Sequence, residues 1–473
     1  MSSPIRFGTD GWRGIIAEDF TFANVRVCAQ SVSLFLQEAG LAERGLVVGY
    51  DTRFGSEDFA AAASEVIAAN DIQVYLCDRP TPTPVVAYSI LSRKAGGAVV
   101  ITASHNPPRW SGFKFRSEYA GSAPPEVLSM IEARVPEVLS TGVRRVPLTE
   151  AIEHGLVEQF DPRPAYTRQI EQQLDLPSLR QAGLKIVVDS MHGAAAGYLA
   201  GLLEGGETQV WEMRKERNPA FPGMHNPEPI ERNLGPLIEE VRHRGADVGL
   251  ATDGDGDRLG VVDEKGRYVD QLQTFGLLTY YLLEVRGLRG PIVKSVTTTR
   301  MVRQLAELYG VPLHETSVGF KYLGPRMVET DALIAGEESG GYAFRGHLPE
   351  RDAVLSGLYF LDFLARRRAK PSQLLAELYD RVGPHYYGRI DVVLTDKVKT
   401  QLVERAASLR PRAIAGLQVV DSDSADGRRF IFANGWALIR FSGTEPLLRI
   451  YTEVPEEKLV KEVLEACRQL LEI

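Results

Sequence analysis

The sequence predicts an α/β protein built from three similar units and closed by a C-terminal segment of different character. Three observations lead there. Short apolar runs rich in Val and Ile end repeatedly in small or polar residues, as buried parallel strands do. Amphipathic, helix-like stretches separate those runs. The last ~90 residues mix strand and helix signals in another order, after a break at Gly383-Pro384.

In the first unit, "GLVVGYDTR" (45–53) reads as a strand, "SEDFAAAASEVIAAN" as a helix, and "GGAVVITASHNP" as a second strand running into a loop. In the second, "GLKIVVDSMHG" (183–193) and "ADVGLATDGDGDR" (246–258) play the same parts, followed by a hairpin-like "GVVDEKGRYVD". In the third, "GPIVKSVTTT" (290–299) precedes the helix-like "TTTRMVRQLAELYG" and the strand "DALIAGEESGG" (331–341). A charged stretch broken by Pro162 and Pro164 separates the first two units.

The bulk numbers agree. At 473 residues the chain exceeds a single hydrophobic core, and ~150 residues per domain gives three or four domains. The 44% hydrophobic and 25% charged residues are those of a globular protein. A net charge of -8 argues against nucleic acid or an anionic membrane as a general partner, while leaving room for a locally basic pocket. No run is long and apolar enough to span a bilayer, and the N-terminal residues lack the apolar core of a signal peptide. Cys28, Cys77 and Cys467 read as reduced thiols, so a cytoplasmic protein is expected.

Four loops carry chemistry. In "ATDGDGDRLG", Asp253, Asp255 and Asp257 alternate with glycines after a strand. Alternate side chains of an extended segment point one way, so three carboxylates converge on a hard cation. A calcium EF-hand fails because its sixth loop position, Arg258, should be Gly; Mg²⁺ with one position open to a phosphoryl oxygen fits better. In "RFSGTEPLLRIYTE", Arg440, Ser442, Gly443 and Thr444 offer a guanidinium, two hydroxyls and open backbone N–H groups, a set suited to a phosphate dianion. A polar turn capped by Ser and Thr fits that stretch equally well. In "AGEESGGYAF", Glu337 and Ser339 follow a strand and suit vicinal sugar hydroxyls, although a capped helix start reads the same way. Ser104 in "TASHNP" is a turn residue, a nucleophile or a phosphoserine. It lacks the elbow of the α/β hydrolases, and an aspartate-held Mg²⁺ would favour the last, with Lys114 neutralising the transferring group.

Together, "TASHNP", "DGDGDR", "GEESGG" and "RFSGTEP", in this order and spacing, make the chain resemble the α-D-phosphohexomutase family over essentially its whole length. The resemblance implies four domains around a central cleft, three α/β domains with mixed sheets and a smaller α+β domain. The expected division is 1–158, 159–266, 267–383 and 384–473, bearing the serine, metal, sugar and phosphate loops in turn. It implies Ser104 as the phosphorylated serine and, with Asp253, Asp255 and Asp257, as a ligand of one Mg²⁺. Arg13, His105, Lys114 and Arg258 would line the transfer centre. Glu337 and Ser339 would read the sugar, and Arg440, Ser442, Gly443, Thr444 and Arg449 would hold the non-reacting phosphate. Glucose 1,6-bisphosphate is the implied intermediate and activator, and a monomer or homodimer is expected.

Relatives of the phosphomannomutase/phosphoglucomutase branch often carry His where this chain has Gly341. "SVGFKYL" resembles a stretch of glucose-preferring members, which makes Lys321 a candidate acid/base. "DGDGDR" differs from the "DGDADR" common in phosphoglucosamine mutases. Glucose is therefore the expected sugar, with mannose or both as the alternative and glucosamine behind them.

Overall fold

The computed structural model describes residues 5–8, 11–441 and 447–473, the side chains of residues 396 and 397 excepted. Four main sheets follow one another along the chain. The first contains β1 (Trp12–Ile15), β2 (Leu46–Tyr50), β3 (Val74–Cys77), β4 (Gly97–Ile101), β5 (Trp110–Ser117) and β6 (Val157–Phe160), in the order β1-β5-β4-β2-β3-β6. The second is β11-β10-β9-β7-β8, from β7 (Lys185–Asp189), β8 (Gln209–Met213), β9 (Val248–Thr252), β10 (Leu259–Asp263) and β11 (Tyr268–Val269). The third is β13-β12-β14-β15, from β12 (Ile292–Ser295), β13 (Leu313–Thr316), β14 (Ile334–Gly336) and β15 (Tyr342–Phe344).

These sheets repeat one device. A central strand (β2, β7 or β12) lies parallel to two neighbours, and the later neighbour is joined by a tight connection to an antiparallel strand. The connections are 102–109, 253–258 and 337–341, the serine, metal and sugar loops. Each begins at the carboxyl end of a buried parallel strand, where ligands gather in open α/β sheets.

The first unit has two more parallel strands than its apolar runs predicted, β3 and β6, and the second and third units have one more each. The extra strands β8 and β13 are only partly buried, so neither forms a continuous Val/Ile run.

The C-terminal region is antiparallel. Its sheet runs β16-β22-β21-β20-β19, with β16 (Tyr386–Val393), β19 (Asp421–Asp423), β20 (Arg428–Phe432), β21 (Gly435–Phe441) and β22 (Leu447–Val454). A small ribbon, β17 (Ala413–Ile414) with β18 (Leu417–Gln418), stands beside it. Helix Glu457–Leu471 buries Val463, Leu464, Cys467 and Leu471 against the sheet.

The first and fourth units have their own main cores. The second and third share one, running from Tyr166 and Ile170 through Leu250 and Phe275 to Leu358 and Leu378. No helix among the described residues is long and apolar enough to cross a membrane.

Candidate active site

The serine and metal loops meet in the interior. Ser104 is buried at the end of β4 with φ +53°, and its hydroxyl donates to Asp253 Oδ2 at 3.0 Å. The approach is close, since a Cβ on Gly254 would fall 2.6 Å from the Ser104 carbonyl oxygen. Glycine is required there by space.

Asp253, Asp255 and Asp257 are buried, with one carboxylate oxygen from each within 4.8 Å of the others. They do not converge by strand alternation, as the sequence reading had it. The segment is a turn: Asp253 Oδ1 accepts the N–H groups of Asp257 (2.9 Å) and Arg258 (3.2 Å), and Gly256 takes φ +73°. The turn folds the carboxylates inward around the backbone.

Burial, then mutual repulsion with Asp257 and Asp255, pushes the Asp253 carboxyl well above the usual range. Burial, together with repulsion from Asp255, pushes Asp257 up to about 6 despite Arg351. Burial opposes the Asp255 charge too, but Lys114 (3.0 Å) and the Thr83 hydroxyl (2.7 Å) hold its carboxyl below the usual range. Asp255 Oδ1 and Asp257 Oδ1 are buried and accept no hydrogen bond. Three crowded carboxylates with unsatisfied oxygens are a fitting donor set for Mg²⁺.

Cationic and hydrogen-bonding groups surround this centre. Lys114, fully buried on β5, sits on Asp255. Arg258 pairs with Glu228 at 3.3 Å and lies 3.7 Å from Asp257. Arg13 on β1 donates to Asn106 in the serine loop. His105 Nδ1 is 3.4 Å from the Ser104 hydroxyl. Exclusion from water, then Arg258, Arg13, Lys114 and Arg449, holds its imidazole well below the ordinary range and therefore neutral.

A cavity of about 2090 Å³ opens from this centre and is lined by all four units. Arg13, His105, Arg258, Glu337, Ser339, Arg440 and Arg449 all line it. The Ser339 hydroxyl donates to Glu337 Oε1 at 2.8 Å. The adjacent glutamates diverge: Glu338 accepts from Tyr387 and Arg389 of the fourth unit, the latter at 2.8 Å. Arg440, at the end of β21, donates to Asp426 Oδ1 at 2.9 Å, and Arg449 on β22 stands beside Asp391. Ser442, Gly443 and Thr444 lie outside the described residues.

Two sequence expectations look different in three dimensions. Lys321 does not line the cavity, whereas its neighbours Val318, Gly319 and Phe320 do; its ammonium lies 5.2 Å from the Tyr322 ring centre. At the first turn of helix Phe320–Thr330, Phe320 is buried and Lys321 is half-buried. The glycine of "DGDGDR" that is alanine in "DGDADR" is Gly256. Its Cβ position faces Pro82 at 3.0 Å and Ala195 at 3.1 Å, so the difference concerns loop packing more than the sugar.

Sequence reasoning missed Arg351. Its guanidinium pairs with Asp257 (2.9 Å), Glu337 (2.9 Å) and Glu350 (3.2 Å), and it lies 5.3 Å from the centre of the Phe320 ring. It thereby ties the metal loop to the sugar loop. It also fills the space beside Gly341, where a Cβ would fall 2.1 Å from Arg351 Cδ. A glycine opposite a buried arginine is a complementarity visible only once the chain is folded.

Residues 4–141, 164–266 and 270–382 match phosphoglucomutase/phosphomannomutase α/β/α domains I, II and III, and residues 393–470 match the C-terminal domain of those proteins. A phosphoglucomutase/phosphomannomutase of Thermococcus kodakarensis is 30% identical over 466 residues, 98% of each chain. A phosphoglucosamine mutase of Carboxydothermus hydrogenoformans is also 30% identical, over 98% of this chain and 99% of its own. Among solved structures, a phosphomannomutase-type protein of Thermus thermophilus is 36% identical with a TM-score of 0.88, each chain covered in full.

Proposed function

The chain belongs to the phosphoglucomutase/phosphomannomutase family, whose members are isomerase-type phosphotransferases, and on that premise we propose that it interconverts α-D-glucose 1-phosphate and glucose 6-phosphate. Ser104 carries the phosphoryl group. It gives that group to the sugar 6-hydroxyl, and the resulting 1,6-bisphosphate turns over and returns its other phosphate to Ser104.

The observation that supports this reading is the Ser104 hydroxyl lying on Asp253 within the buried carboxylate cluster. Asp253, Asp255 and Asp257, with an oxygen of the phosphorylated serine, would hold Mg²⁺, which supplies charge neutralisation to the phosphoryl oxygens. Lys114, Arg13 and Arg258 add fixed positive charge where a loose transition state spreads negative charge. Neutral His105, 3.4 Å from the Ser104 hydroxyl, can hydrogen-bond the transferring group without adding charge. Glu337 and Ser339 orient the sugar. Arg440 and Arg449, with Ser442, Gly443 and Thr444, hold the distal phosphate. A cleft lined by four units has room for the intermediate to reorient without escaping to water.

Phosphoglucosamine mutases among the relatives favour a second reading, a 2-amino sugar substrate. The deciding experiment measures kcat/KM for the 1-phosphates of glucose, mannose and glucosamine with Mg²⁺ and trace glucose 1,6-bisphosphate. Glucose should lead. A tenfold preference for glucosamine would replace the first reading with the second, and comparable rates on glucose and mannose would make the enzyme dual.

A further inference from the structure

Arg53 is wholly buried just beyond the carboxyl end of β2, beside β4 and behind the serine loop. A guanidinium has five N–H donors, and all five of Arg53's are engaged. Nε donates to Asp51 Oδ2 at 3.1 Å. Nη1 donates to the carbonyls of Pro107 (3.0 Å) and Trp110 (2.9 Å), and Nη2 to those of Ser104 and Asn106 (both 2.6 Å). Three carbonyls of the serine loop, one of them that of Ser104, and the Trp110 carbonyl at the start of β5 are thus gathered on a single rigid plane. Asp51 is itself fixed by the Ser56 hydroxyl at 2.8 Å and the Arg53 N–H at 3.0 Å.

The loop needs such a clamp. Ser104 holds φ +53°, which residues with a Cβ adopt uncommonly, and its carbonyl is pressed between Arg53 and Gly254. Turning Ser104 to an ordinary φ would swing the hydroxyl off Asp253 and break the Nη2 contact.

We infer that Arg53 is a positioning residue for phosphoryl transfer: it touches no substrate but holds the Ser104 backbone in the left-handed conformation that aims its hydroxyl at the carboxylate cluster. The inference rests on Ser104 being the phosphoryl carrier. Lysine keeps the charge but lacks the fork that spans four carbonyls.

The test compares the full-length native chain with Arg53→Lys, Arg53→Ala and Ser104→Ala, using glucose 1-phosphate with Mg²⁺ and trace bisphosphate. A carrier displaced by about 1 Å should lower kcat about a hundredfold in both Arg53 variants, with KM changed less than about threefold. Millimolar guanidinium should restore at least about tenfold of the Arg53→Ala loss by refilling the same hole. Arg53→Lys with kcat within threefold of native, or a loss confined to KM, overturns the inference, as does failure of guanidinium to rescue a folded Arg53→Ala. If Arg53→Ala does not fold, Arg53→Lys decides alone. Turnover by Ser104→Ala would instead bring down the carrier reading itself, whereas an inactive Ser104→Ala beside a fully active Arg53→Lys sinks only the positioning role.

Discussion

Gly341→Ala is the smallest change that tests how the metal and sugar loops are held in register. The new methyl would fall 2.1 Å from Arg351 Cδ and 2.4 Å from Cγ, so the side chain must leave. With it go the pairs to Asp257 (2.9 Å), Glu337 (2.9 Å) and Glu350 (3.2 Å). Removing one partner of a buried ion pair costs ~3–5 kcal/mol, because the other charge stays behind. Taking about 3 kcal/mol as the share felt at the reacting centre, kcat/KM falls about a hundredfold. Arg351→Ala should lose a similar factor. Once the arginine is cut back, the nearest obstacle is its own Cβ at 3.2 Å, so Gly341→Ala should add little more. The double variant should then lose about a hundredfold, not the roughly ten-thousandfold that independent effects would multiply to. The assay is kcat/KM for all four proteins, with thermal unfolding as a check on folding. Multiplicative losses, or a Gly341→Ala protein within twofold of native, would refute the shared-space argument.

Chelating Mg²⁺ should abolish turnover and its return restore it, and Asp253→Asn should weaken Mg²⁺ binding at least about tenfold by calorimetry; unchanged affinity would remove Asp253 from the ligand set. Lys321→Ala should keep kcat within about threefold, since the side chain does not line the cavity; a loss above about thirtyfold would return it to the acid/base role. Glu315 links the third unit to the fourth. Burial opposes its charge, but Arg429 (2.6 Å) and then Lys294 (3.3 Å) draw its carboxyl down to about 2. Burial lowers Lys294 as well, and Arg429 is the larger of the two influences on Glu315. The stabilisation is present above the ordinary glutamate range near pH 4.5 and is lost as pH falls toward 2. It amounts to at most about 3 kcal/mol. Urea unfolding at pH 7 and pH 3 should show a smaller acid loss for Glu315→Gln than for the native chain, and equal losses would contradict the assignment.

What could be read from the chain was what is written in contiguous residues. Three of the loops stand where buried strands end, and a run such as "GAVVI" leading into Ser104 announces both the strand and its working end. The partly exposed strands β8 and β13 left no such trace. The clustering of the three aspartates was legible and its geometry was not, because a turn closed on the Asp253 side chain and a left-handed glycine look like alternation on paper. Arg351 and Arg53 escaped notice for a different reason. Their partners are distant in sequence, 94 residues away for Arg351 in the metal loop and up to 54 for Arg53 in the serine loop. Lys321 is the opposite case: a motif-like neighbourhood drew attention to a side chain that does not line the cavity, whereas Val318, Gly319 and Phe320 beside it do.

The second and third units share one hydrophobic core. The metal loop and the sugar loop grow from that single packed body and are bolted together by Arg351, so they form a fixed gauge. The joints to the flanking units include polar ones: Arg217 on Glu57 toward the first, and Arg389 on Glu338 and Arg429 on Glu315 toward the fourth. Ion pairs can separate and re-form with far less disturbance than interlocked side chains. The distance from metal loop to sugar loop is therefore set by this rigid middle, whereas the joints at its flanks combine such ion pairs with apolar packing, Leu272 and Val296 against Trp436 and Leu438 toward the fourth unit.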